Sequence, residues 1–309
     1  MKKNSIVSIL ILFATAIIWG LAFPFQNMVN STFWFNGIRF IIGAVSLIPV
    51  ALFFEREKLT KKQWKKLILS SALCGIILFS ASALQQAGIL MSGSSAKAAF
   101  ITGLYMVFVP FCGIFMKKRI RPEAFIGAMV AVVGLYFVCC TEGISGIVLG
   151  DVVVLIGAFF WTAHIVCIDS FASECPSLKF SLIQFIVCGS INLAVAPFFE
   201  GEFLGGAQIG DVIVPILYCG IFSVGVAYTC QVIGQRGTEP ALASIILCSE
   251  SVFAALGEMP IFYLMISLGF NTKKPESLDE LVYFGCGLIF VGIILSQLKI
   301  FKLKEKNNQ

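Results

Sequence analysis

Residues 240–260 read PALASIILCSESVFAALGEMP, an apolar run closed by a proline at each end with a carboxylate in its middle. A run of this length crosses a bilayer as a helix. At ~1.5 Å per residue, Glu250 lies roughly 15 Å from its start, close to the middle of a hydrocarbon layer about 30 Å thick. An ionised carboxylate there costs roughly 3 kcal/mol on insertion scales. Neutralising a glutamate at pH 7 from its reference state costs about 3.7 kcal/mol. The two costs are similar, so Glu250 is either ionised beside a cation or neutral beside apolar groups, and a small change tips it. The plain structural reading is a carboxyl satisfied by a backbone group or a neighbouring serine.

The rest of the chain has the same character. Of its 309 residues, 58% are hydrophobic and 13% charged, with a mean hydropathy of +0.95. A soluble domain averages about 45–50% apolar and 25% charged residues. The chain therefore reads as an all-α polytopic membrane protein. Its formal charge of +5 arises from basic loops and is no signal for nucleic acid. Ten of the eleven cysteines fall inside apolar runs and Cys175 in a short loop, without CxxC or Cys/His metal spacing. They read as small hydrophobes. His164 is the only histidine, which excludes a His-based metal cluster. The N-terminus MKKNSIVSILILFATAIIWG (1–20) mimics a signal peptide, but it lacks an A-x-A cleavage site and its apolar run reaches Phe25, so it reads as a retained first span.

Ten spans are expected, near 5–26, 33–54, 66–90, 95–116, 122–140, 147–168, 178–199, 211–233, 240–264 and 281–300. Basic residues orient them. With the N-terminus inside, eighteen of the 22 Lys and Arg fall on the inner face: Lys2, Lys3, six between Arg56 and Lys66, four in KKRIR (117–121), Lys179, Arg236 and four from Lys299 to Lys306. Lys273 and Lys274 fall outside, as do many acids, among them Glu142, Asp151, Glu200, Asp211, Glu276 and Asp279. Such asymmetry marks the cytoplasmic side, so both termini are expected in the cytoplasm of a cell whose plasma membrane holds the protein.

The chain also repeats. GIILFSASALQQAG (75–88) aligns with GIFSVGVAYTCQVIG (220–234) at an offset of 145, pairing Gly75 with Gly220 and Gln86 with Gln231. The same offset pairs Arg39 with Gln184 and Ala98 with Ala243. Trp19 pairs with Trp161 at 142, and Gly127 and Gly134 match Gly285 and Gly292. The units are a first five-helix repeat, 1–140, a second, 147–300, and a tail, 301–309. An odd number of spans per unit inverts one repeat relative to the other, an architecture that puts a transport site at the midplane between them.

Polar or small residues at helical spacing cluster in spans 1–3, 6, 8 and 9, for example Thr15, Trp19 and Gln26, Asn36, Arg39 and Gly43, or Gly157, Trp161 and His164. Helix packing accounts for much of this pattern; a wet cavity accounts for its restriction to these spans. Spans 5 and 10 carry glycines and almost no polar side chains, and read as peripheral packing helices. Arg39 has two readings: a clamp for a substrate carboxylate or phosphate, or a structural partner of a carboxylate such as Glu258. Lys97 stands at the outer mouth of span 4. Trp19 and Trp161 lie deeper than an aromatic belt and suit either packing or the wall of a planar or cationic substrate. The lone His164 suits a satisfied helix histidine or a proton relay.

Trp19–Gly20, GIRF (37–40), FITGLYMVFVP (100–110) running into KKRIRP (117–122), and SESVFAAL (249–256), taken in this order, resemble the drug/metabolite transporter superfamily, EamA type. The resemblance covers essentially the whole chain. It implies ten transmembrane helices as two inverted five-helix repeats, a central cavity built by spans 1–4 and 6–9, and secondary transport of small metabolites, often amino acids or their derivatives. It carries over Trp19, Arg39, Tyr105, Pro110, Trp161 and Glu250. This chain departs from the pattern after the ninth-span glutamate, where Ser251 replaces proline, and at Gly257–Glu258, which comes early. The expected substrate and coupling positions are thus Glu250, Arg39, Trp19, Trp161, Tyr105, Gln86, Gln231 and His164. The structural or hinge positions are Pro110, Gly127, Gly134, Gly285 and Gly292. The expected mechanism is a rocking of the two repeats that gives alternating access. The expected partners are a small-molecule substrate and the lipid bilayer, with proton coupling and a homodimer as options. No cofactor, metal or nucleic acid is expected. An intramembrane enzyme would need paired acids or a Ser/His pair at facing depths, which the spacing argues against; a receptor or scaffold without transport remains the other class.

Overall fold

A computed structural model describes residues 5–115, 122–139, 147–270 and 280–297. The chain folds as an all-helical membrane bundle of two inverted five-helix repeats. In the first repeat α1 is Ile6–Asn27, α2 Phe33–Phe54, α3 Lys61–Ser92, α4 residues 95–115 and α5 Pro122–Cys139. In the second, α6 is Leu149–Phe171, α7 Ser177–Phe199, α8 Ile209–Gln235, α9 Pro240–Ser267 and α10 Glu280–Gln297. Eight of these are long and apolar enough to cross a bilayer, and α5 and α10 contribute the shorter apolar segments Pro122–Phe137 and Tyr283–Ser296. The expectations at Lys2, Lys3, 117–121, Glu142, 271–279 and 299–309 lie outside the described residues.

The ends of the bundle follow from local chemistry. Thr60 starts α3 with a capping box: its hydroxyl accepts from the Gln63 amide, and Gln63 Oε1 accepts from the Thr60 amide. Helix therefore begins five residues before the expected span. Its 32 residues rise about 48 Å, more than the hydrocarbon layer, so Lys61, Lys62, Lys65 and Lys66 project beyond it. This basic face also gathers the α6–α7 and α8–α9 connections, through Lys66 with Glu174, Lys179 Nζ on the Glu57 carbonyl (3.3 Å) and Arg236 Nη1 on Ser177 Oγ (2.7 Å). At the opposite face Lys97 pairs with Asp151 at 2.6 Å, tying the start of α4 to that of α6.

Glycine sets the closest helix approaches. A Cβ built on Gly127 would lie 2.5 Å from the Gly292 carbonyl, and one on Gly134 2.6 Å from that of Gly285, so α5 and α10 pack backbone to backbone. A Cβ on Gly20 would sit 2.5 Å from the Glu250 carbonyl, which seats α1 on α9.

Several features depart from a reading of uninterrupted spans and inert cysteines. First, α4 is two half-helices, Ser95–Gly103 and Tyr105–Phe115, broken at Leu104. Second, α9 is two half-helices, Pro240–Leu247 and Glu250–Ser267, broken at Cys248–Ser249 without a proline. Here Cys248, Ser249 and Ser251 each donate a side-chain hydrogen bond to the carbonyl three residues back, competing with the helical pattern. In α8 the turns widen to a π-helix over Tyr218–Tyr228. Third, a disulfide joins Cys74 of α3 to Cys167 of α6 across the two repeats, with the Cα atoms 6.2 Å apart. Ninety-three residues separate the two, and no spacing motif announces the pair.

Candidate functional site

The breaks in α4 and α9 lie at equivalent points of the two repeats. The residue that opens the second half of α4 is Tyr105, and the one that opens the second half of α9 is Glu250, 145 positions later. The inverted repeat brings them together: Tyr105 Oη donates to Glu250 Oε1 at 3.0 Å, both side chains being buried. Half-helix ends at the membrane midplane expose backbone dipoles and polar side chains where a continuous helix would hide them.

A narrow cavity opens beside this pair. Its aromatic wall consists of Trp19 from α1, Trp161 from α6 and Tyr228 from α8. Trp19 and Tyr228 are 4.6 Å apart between ring centroids, and Trp161 lies nearly parallel to Tyr228 at 6.0 Å. Trp19 is held by its indole N–H, which donates to the Ser223 carbonyl in the π-helical part of α8 at 3.2 Å. The polar wall consists of Gln26, Arg39, Gln85, Thr102, Gln231 and Glu250. Gln85 Nε2 donates to Thr102 Oγ1 at 3.1 Å.

Arg39 is only 2% exposed, and its guanidinium lies 5.0 Å from the Phe35 ring centre and 5.4 Å from that of Phe40. Among the described residues, its Nε and Nη2 have no hydrogen-bond acceptor. A buried guanidinium normally carries a carboxylate partner, because unpaired burial of the charge costs several kcal/mol. Other buried polar atoms at the cavity are equally unmatched among the described residues: the acceptors Gln26 Oε1 and Gln231 Oε1 and the donor Trp161 Nε1. Unmatched donors and acceptors in one cavity define a polar surface awaiting an occupant, either water or a solute.

Of the eight positions expected from sequence, Glu250, Arg39, Trp19, Trp161, Tyr105 and Gln231 line this cavity. The other two do not. Gln86 points toward the end of α1 and donates to the Gln26 carbonyl at 3.0 Å, while its neighbour Gln85 faces the cavity. His164 lies behind the aromatic wall, edge-on to Trp161 and Tyr228, with Nε2 3.1 Å from Gln184 Oε1. Pro110 sits beyond the break in α4, inside its second half. The paired glycines of α5 and α10 lie in the contact between those two helices, away from the cavity.

Tyr228 and Thr102 complete the site without having been singled out, and Gln26 and Ser223 join them from the polar stripes of spans 1 and 8. Tyr228 has no aromatic counterpart in the first repeat, where the offset of 145 meets Ala83, so repeat matching passes over it. Gln85 and Gln86 differ by about 100° around α3, and only the neighbouring helices decide which of them faces inward.

The family model described as EamA-like transporter family matches residues 6–140 and 148–298. An uncharacterized transporter of Archaeoglobus fulgidus is 27% identical over 290 residues, covering 92% of this chain and 84% of its own. An uncharacterized transporter of Clostridium kluyveri is 26% identical over 285 residues, covering 88% and 83%. A crystal structure of a protein 19% identical to this chain superposes with a TM-score of 0.74 over 94% of this chain and 98% of the other, a likeness of fold.

Proposed function

Because the chain belongs to the EamA-like transporter family, we propose that this membrane transporter carries a small zwitterionic, amphipathic metabolite of the amino-acid type across the plasma membrane by alternating access. Both termini are cytoplasmic in this reading. The observation that carries it is the presence, in one cavity, of a buried Arg39 whose Nε and Nη2 are unmatched among the described residues and a buried Glu250 that accepts from Tyr105. Nε and Nη2 form one edge of the guanidinium fork and suit a bidentate carboxylate. Glu250 suits the substrate ammonium, or a proton when the ammonium is absent. The faces of Trp19, Trp161 and Tyr228 suit an apolar or planar body and add attraction for a cation. Exchange of a proton for a substrate at Glu250 would couple transport to a pH gradient.

The test is flux in proteoliposomes. Labelled amino acids and related metabolites are offered with and without an imposed pH gradient, to wild type and to Glu250→Gln. Gradient-stimulated flux of a zwitterion, lost in the variant, is the expected result. Gradient-driven flux that survives the substitution removes Glu250 from coupling. Preference for an anion or a neutral solute over the zwitterion removes the proposed substrate class.

A further inference from the structure

We propose that Glu55 and Glu200 are positioning residues: they hold α2 against α7 at both membrane faces, so that this pair stays fixed while access switches by movement of the helices around it. The proposal rests on the transport reading above.

Glu55 follows the last residue of α2, and Glu200 follows the last residue of α7. They stand 145 positions apart, the repeat offset, and each reaches the start of the other's helix. Glu200 Oε1 accepts from the Phe33 amide at 2.9 Å and Oε2 from the Trp34 amide at 3.1 Å. Ser31 Oγ and the Thr32 amide donate to the same carboxylate. Glu55 Oε1 accepts from the Leu178 amide and Oε2 from the Lys179 amide, both at 2.9 Å. Phe33 and Trp34 are related to Leu178 and Lys179 by the same offset. A carboxylate at a helix N-terminus satisfies amides that the helix leaves unpaired and meets the positive end of its dipole. Both half-buried clamps therefore join one repeat to the other, one at each face.

Between the clamps the two helices touch through small residues. A Cβ on Gly37 would meet Leu193 Cδ2 at 2.5 Å, and one on Gly189 would meet Ile41 Cδ1 at 2.9 Å. Rocking the repeats as whole bodies would part α2 from α7 at one face and then at the other. Each parting would strip a carboxylate from at least two helix-end amides. The deformable elements lie elsewhere: the breaks at Leu104 and Cys248–Ser249, which flank Tyr105 and Glu250, and the π-helical turns of α8. The geometry favours bending of half-helices against a fixed α2–α7 beam, on which Arg39 is mounted.

Two cross-links separate these motions. In Gly37→Cys/Leu193→Cys the side chain that a Cβ at position 37 would strike is truncated, so the pair can join α2 to α7. In Gly103→Cys the new Cβ stands 3.7 Å from Cβ of native Cys248, within disulfide range, and joins the two breaks. Both variants are reconstituted and assayed with a mixture of radiolabelled protein amino acids. With α2–α7 joined, flux stays within about twofold of the reduced protein; with α4–α9 joined, flux falls more than about tenfold and returns on reduction. Loss of flux on joining α2 to α7, or full flux with the breaks joined, overturns the proposal. Absence of wild-type flux overturns the transport reading instead. Amide hydrogen exchange then still decides this one. Slow exchange at Phe33 and Trp34 together with slow exchange at Leu178 and Lys179 is expected in wild type, accelerated about tenfold or more at 33–34 by Glu200→Gln and at 178–179 by Glu55→Gln. Fast exchange at either end of the wild-type pair, or no acceleration in the variants, overturns it.

Discussion

Replacing Arg39 by glutamine separates a substrate clamp from a structural ion pair, because the two roles predict opposite results. If Arg39 were one half of a buried ion pair, truncation would strand its partner and destabilise the fold by about 3–5 kcal/mol. Nε and Nη2 meet no acceptor among the described residues and the side chain is 2% exposed, so the substitution strands nothing there and removes a buried charge. The unliganded protein should melt at or above the wild-type temperature. Binding should move the other way. A carboxylate seated on Nε and Nη2 loses a charge-assisted pair, for which truncation of one partner costs about 2–5 kcal/mol. That corresponds to a loss of roughly 30-fold or more in affinity. The carboxamide analogue of the same solute has one acceptor and no charge, so it keeps only a single hydrogen bond to the guanidinium, worth about 1.5–3 kcal/mol, and should lose less affinity than the carboxylate. The assay measures both ligands in wild type and Arg39→Gln, by transport KM in proteoliposomes and by ligand-induced thermal shift in detergent. Equal losses for carboxylate and carboxamide, or a fall in unliganded stability of 3 kcal/mol or more on the ion-pair scale, would refute the reasoning.

Tyr105→Phe removes one hydroxyl and leaves the ring. Glu250 Oε1 loses its donor, an interaction of about 1.5–3 kcal/mol if the carboxylate is charged, and the maximal flux should fall about tenfold or more with helix content unchanged; unaltered flux would take the pair out of the cycle. Gly20→Ala places a methyl 2.5 Å from the Glu250 carbonyl and should cost about 1–3 kcal/mol, read as a lower melting temperature, whereas unchanged melting would mean a looser α1–α9 contact. Gly127→Ala meets the Gly292 carbonyl at 2.5 Å and should destabilise by a similar amount, about 1–3 kcal/mol, while leaving transport KM unchanged, since the contact lies away from the cavity; a changed KM would tie α5 and α10 to the site.

Hydropathy, the basic loops and the matches at an offset of 145 suffice for the ten helices and the inverted repeat, because the bilayer imposes run length and hydrophobicity on each span by itself. The same one-dimensional text marks Glu250, Arg39, Trp19 and Trp161, since a charge or a deep tryptophan inside an apolar run is visible without neighbours. Tertiary structure decides which side of a helix meets which partner. Gln85 rather than Gln86 reaches the cavity, His164 turns to Gln184 behind the wall, and Arg39 keeps Nε and Nη2 unmatched among the described residues. It also decides what joins across the two repeats: Tyr105 to Glu250, Cys74 to Cys167, and Glu55 and Glu200 to each other's helices. Hydrophobicity along a chain is a property of each residue in turn. A hydrogen bond or an unmatched donor is a property of two positions, and only the folded packing brings the second one within reach.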